Sequence, residues 1–157
     1  MLHDTSTDLR FQIAGRIARP VHDVFEAIVD PDQLSRYFTT GGAKGRLETG
    51  ATVTWDFADF PGAFPVEVVE VVPDERIVLR WDAATAEGEA PYQTTVTIGF
   101  EELASDRTLV TIAEAGWRPT PESQEASYGN CEGWTAMLIH CKAWLEHGLN
   151  LREGFYV

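Results

Sequence analysis

The sequence predicts an α+β fold: a curved antiparallel sheet of six or seven strands wrapped around a long C-terminal helix, with two short helices after the first strand. Three observations lead there. The hydrophobic period is two along most of the chain, turns helical just after the first strand, and turns helical again near the C-terminus. Most strand-like runs are separated by short turn signals, which makes successive strands antiparallel neighbours. A strongly twisted sheet crossed by one helix bends around it, so the apolar face of that helix meets the concave side.

The elements follow in order. "LRFQIAGRIA" (Leu9–Ala18) puts Leu9, Phe11, Ile13, Gly15 and Ile17 on one side and reads as a strand. In "RPVHDVFEAIV", Pro20 suits a first helical turn, and Val21, Val24, Phe25 and Ile28 form one helical face. "DPDQLSRYF" restarts a helix with Asp30 as N-cap and Pro31 as first helical residue, and Leu34, Tyr37 and Phe38 give its apolar side. "TTGGAKG" reads as a flexible loop; it lacks the spacing of a phosphate-binding loop and follows a helix rather than a strand. "ATVTWDFA" is a strand with Val53, Trp55 and Phe57 together. "FPGAFP" reads as a turn and "VEVVEVV" as the next strand. "RIVLRW" aligns Ile77, Leu79 and Trp81. "DAATAEGEAP" is a polar connection. "YQTTVTIGFEEL" aligns Val96, Ile98 and Phe100. "TLVTIAEA" aligns Val110 and Ile112, and counting by two adds Glu114. "GWRPTPESQEAS" leads into the long helix.

That helix holds two cysteines and two histidines in "GNCEGWTAMLIHCKAWLEHGL". At 100° per residue, Trp134, Met137, Leu138, Cys141, Trp144, Leu145 and Gly148 share one face. Cys141 is a small apolar residue in that face; His140 and His147 lie on a flank and are expected in water. Cys131 and Cys141 are ten residues apart, about 15 Å along the axis, too far for a disulfide. The four side chains do not converge on one ion, so no metal and no cofactor is expected.

Composition narrows the partners. The chain has 157 residues and a formal charge of −13, which disfavours nucleic acid and anionic membranes. No apolar stretch is long enough to span a bilayer, and the N-terminus shows no signal-peptide pattern. Two unpaired cysteines suit a reducing, cytoplasmic setting. A single domain over 1–157, with its core at about 9–150, is the expected organisation.

Few residues suggest chemistry. No nucleophile-elbow motif occurs. Glu101 and Glu102 point to opposite faces before a turn and are read as solvated, as are Asp56 and Glu67. Glu114 is the one weak catalytic candidate: a carboxylate on the inward face, where it could orient a ligand or act as acid or base. If it stood desolvated there, Glu114→Gln would stabilise the fold at neutral pH. A cavity between helix and sheet would be lined by Trp55, Trp81, Val96, Ile98, Ile112, Glu114, Trp134, Met137, Leu138 and Cys141.

Two motifs resemble a known family. "IARPVHDVFEAIVDPDQLSRYF", through Ile17, Pro20, Val24, Phe25, Ala27, Asp30, Pro31 and Leu34, is similar to the opening strand and helix pair of the bacterial family related to the C-terminal domain of the activator of Hsp90 ATPase. "EGWTAMLIHCKAWLEHG", through Gly133, Trp134, Leu138, Leu145, Glu146 and Gly148, resembles its terminal helix. "VVEVVPDERIVLRW" is similar to its central hairpin. Tyr37 and Phe38 stand where the family often has Trp. The resemblance implies the helix-grip fold (Bet v 1-like, START, SRPBCC). It also implies binding of an apolar small molecule such as a lipid or polyketide. The alternatives it carries are a cyclase- or hydrolase-type enzyme and a co-chaperone-like interaction module. The chain is expected as a monomer or weak homodimer.

Overall fold

Alternating strands and two helical segments build the predicted α+β architecture. The computed structural model describes residues 8–157; the first seven, part of the segment without a signal-peptide pattern, lie outside the described residues. Strand β1 (Leu9–Ile17) leads into helices α1 (Val21–Val29) and α2 (Pro31–Tyr37). Strands β2 (Gly42–Lys44), β3 (Thr52–Phe57), β4 (Phe60–Val72), β5 (Arg76–Asp82), β6 (Gln93–Ala104) and β7 (Arg107–Trp117) follow, then helix α3 (Pro121–His147). All strands pair antiparallel in one open, curved sheet, ordered β1-β7-β6-β5-β4-β3-β2.

Local chemistry explains the boundaries. The Asp30 carboxylate accepts the Asp32 amide at 3.0 Å and Pro31 opens α2, as the sequence implies. Pro20 is itself the N-cap of α1, one position before the first helical residue. Thr120 caps α3 through the Ser123 amide at 3.1 Å, so the helix begins well before Gly129 and takes in "PESQEAS". Gly148 ends it in the left-handed conformation, φ 66°, with its N–H on the Trp144 carbonyl at 2.9 Å.

Two readings of the sequence are corrected. "FPGAFP" is not a turn: Phe60 and Phe64 pair with Phe57 and Trp55, so the strand starts six residues early and the turn is Ala58–Asp59. "TTGGAKG" is not simply a loop: Gly42–Lys44 form the edge strand β2 on β3. A Cβ on Gly41 would come within 3.0 Å of the Asp56 backbone, so close approach rather than mobility requires glycine there.

The inward faces carry the core. Val53, Trp55, Val66, Val68, Ile77, Leu79, Val96, Ile98, Val110 and Ile112 are buried against Trp134, Met137, Leu138 and Cys141 of α3. A register shift between Val68 and Glu70 lets β4 keep its pairing with β5 while Val69 turns outward.

Candidate functional site

The site starts from a buried carboxylate. Glu114 lies opposite Val96 on β6, and Thr94, two residues before Val96 on the same face, lies opposite Trp81 on β5. Alternation therefore gathers Glu114, Thr94 and Trp81 on the concave side. Asn130 and Trp134, one helical turn apart on α3, approach from above. Glu114 has no exposed surface. Its Oε1 accepts from Trp134 Nε1 at 2.9 Å and Asn130 Nδ2 at 3.2 Å. Its Oε2 accepts from Thr94 Oγ1 at 2.7 Å, Trp81 Nε1 at 3.0 Å and Asn130 Nδ2 at 3.0 Å. A carboxylate offers about four lone-pair positions, so this one is saturated. It ties helix to sheet, with its lone-pair positions met by protein donors.

The two indoles held by Glu114 stack at 5.4 Å between ring centroids and 30° between planes. Both rings line a cavity of about 350 Å³. Phe38, Phe57, Phe60, Met137 and Ala136 extend its apolar lining, and Asn130, Glu132, His140, Arg152 and Tyr156 supply polar atoms. The cavity thus lies between α3, the β3–β4 hairpin and the chain beyond α3.

Arg152 fixes that last wall. Its guanidinium forms a two-pronged ion pair with Asp59, both contacts at 2.7 Å, and lies 4.8 Å from the Tyr156 ring centroid. Hydrogen bonding from Arg152 holds the Asp59 carboxyl below its usual range. His140 is 3% exposed and meets Phe155 edge-on at 5.0 Å. Burial, then the Arg152 charge, lowers its pKa. His140 is therefore not the solvated residue the helix pattern suggests; the chain beyond α3 covers it. His147 is exposed.

The ten expected lining residues separate into two groups. Trp81, Trp134 and Met137 line the cavity. Trp55, Val96, Ile98, Ile112, Glu114, Leu138 and Cys141 are buried but lie off its wall. Aromatic bulk is the reason: Trp55 packs on Trp81, Trp134 and Phe38 at 6.0, 6.5 and 5.6 Å, which fills the grip behind the stacked indoles. Burial pushes the Cys141 thiol up to about 12, so it is inert. Both cysteines are free. Among the described residues, no group of three or more His, Cys, Asp or Glu is arranged to hold a metal ion.

The contributions of His140, Asp59, Arg152 and Tyr156 were missed at the sequence level. Asp59 and Arg152 are 93 residues apart and carry no local signal. Asn130 had one, its i, i+4 relation to Trp134.

A family model described as activator of Hsp90 ATPase homolog 1-like protein matches residues 18–146. The chain belongs to this family. No curated protein matches it. Among solved structures similar to this chain is SSP2350 from Staphylococcus saprophyticus, 26% identical with a TM-score of 0.74, covering 92% of this chain and 96% of that one. The Aha1 dimer from Colwellia psychrerythraea is 18% identical with a TM-score of 0.69, covering 89% and 98%. DynU16, from the dynemicin biosynthetic locus, is 24% identical with a TM-score of 0.72; the match covers 91% of this chain and 49% of DynU16. The last two likenesses concern the fold. No helix among the described residues is long and apolar enough to cross a membrane.

Proposed function

We propose that this protein is a single domain that binds an apolar small molecule in the cavity beside α3. The observation that carries this reading is the aromatic wall itself: stacked Trp81 and Trp134, with Phe38 and Phe57, line a cleft of about 350 Å³, within the range of small-molecule sites. The likeness to a protein of a natural-product locus is consistent with such a ligand. Binding is favoured over catalysis because Glu114, the buried carboxylate behind the wall, is saturated by protein donors. Of the titratable side chains lining the cavity beside Arg152, Glu132 and Tyr156 are exposed, and His140 is held toward its neutral form.

Native mass spectrometry of the purified protein is the test. A co-purified small molecule that is lost when Met137→Trp fills the cavity supports the reading. A protein that carries nothing and takes up no apolar fluorophore refutes it.

A second reading, contact with another protein, has its own observation. Tyr128, Ile139 and Phe155, 64%, 55% and 55% exposed, line one groove along the outer side of α3. The Colwellia relative is a dimer. Light scattering across a concentration series separates a monomer from a weak homodimer.

A further inference from the structure

We propose that the cavity ligand carries a neutral hydrogen-bond-accepting oxygen, of the ketone class, and that His140 is the residue that reads it. This deepens the binding reading above and rests on it. The argument begins with which polar atoms remain free. Trp81 and Trp134 give their indole N–H groups to Glu114, and Asn130 does the same with its amide N–H. Phe38, Phe57 and Met137 offer none. The side-chain donors left on the wall are His140, Arg152 and the Tyr156 hydroxyl, and of the neutral two only His140 is almost fully buried.

His140 is the unusual member. Its ring is almost fully buried, and neither nitrogen has a hydrogen-bond partner. Nδ1 is sealed from solvent. A neutral imidazole has one donor and one acceptor. Leaving the lone pair on the sealed Nδ1 puts the proton on Nε2, the only ring atom through which a ligand can pair. An oxygen on the ligand gives Nε2 the acceptor it lacks, the one ring hydrogen bond still open to be made.

Charge selects the kind of oxygen. Arg152 gives two N–H groups to Asp59, which neutralises it and leaves further donors on the same wall. Glu132 also lines the cavity, and the chain carries −13. An anion would be repelled there; a carbonyl would not.

The test uses two probes of one shape: acetylnaphthalene and isopropenylnaphthalene, in which a carbon replaces the carbonyl oxygen. Calorimetric titration of the intact protein and of His140→Phe gives four affinities. The substitution is expected to weaken acetylnaphthalene by about fivefold, the worth of one neutral hydrogen bond, and to leave isopropenylnaphthalene within about twofold. Equal responses overturn this inference and leave cavity binding standing. If neither probe binds the intact protein, both readings fall. If His140→Phe does not fold, the ring ¹⁵N shift of His140 in the intact protein decides. A shift on adding acetylnaphthalene alone supports the inference, and no shift, or the same shift with both probes, overturns it.

Discussion

At the scale of single residues, hydrogen-bond inventory decides what each polar group does. Glu114 was expected to gain from conversion to Gln. The structure reverses that sign, because Gln would turn an N–H toward the Trp, Thr and Asn donors that now surround both oxygens. Glu114→Gln is expected to cost about 1–3 kcal/mol for each donor left unpaired, measured by urea unfolding. The two deepest tryptophans give a matched comparison. Trp134 Nε1 is bonded to Glu114, whereas Trp55 Nε1 is buried with no partner. Trp134→Phe should therefore cost about 1–3 kcal/mol more than Trp55→Phe; equal losses would mean that the Glu114 network contributes nothing. His140 gives a pH signature. Its folded pKa lies below the ordinary 6.5, so between those values the unfolded chain binds more protons. Stability from this group is complete above 6.5, falls as pH drops below it, and levels off below the folded value. His22, raised by its Asp74 hydrogen bond, acts in the opposite direction. The difference between the intact protein and His140→Phe cancels His22 and should show the loss on acidification.

At the scale of elements, α3 holds the site through both its face and its ends. The stripe through Trp134, Met137, Leu138 and Cys141 is buried as its spacing implies. Trp134→Ala should cost about 3–5 kcal/mol, the range for large aromatics in cores; a loss below about 1 kcal/mol would contradict the observed packing. Thr120 fixes where the helix starts, and Thr120→Ala should cost about 1 kcal/mol, read as a lower urea midpoint. The strand faces were legible because alternation holds wherever one side of the sheet is covered. The errors fell on "FPGAFP" and "TTGGAKG", where Pro and Gly composition suggests turns. In the edge strand β2 and the outer half of β4, pairing with β3 overrides that composition.

At the scale of the whole molecule, the Arg152–Asp59 pair joins the chain beyond α3 to the β3–β4 hairpin, beside the cavity that Arg152 lines. Arg152→Leu leaves the Asp59 carboxylate without its partner and should cost about 2–3 kcal/mol, with a double-mutant cycle against Asp59→Asn isolating the pair. Asp59 titrates below its ordinary 3.8, so this stability is present above 3.8 and lost as pH falls through the folded value. The acid limb of the unfolding curve should flatten in Arg152→Leu, and any bound apolar ligand should leave faster.

The sequence by itself determined the α+β class, the order of the three helices and of every strand but β2, most inward faces and the family, because each follows from local periodicity, capping and short motifs. It placed Glu114 inward by counting in twos. Only the tertiary structure decided where space remains. The grip behind Trp81 and Trp134 is filled because tryptophan volumes happen to close it, and the cavity opens instead toward a hairpin and a segment far apart in sequence. Which donors face Glu114, and what covers His140, depend on contacts across tens of residues. Periodicity carries no information about those contacts, since it fixes the face of a side chain but not its neighbour.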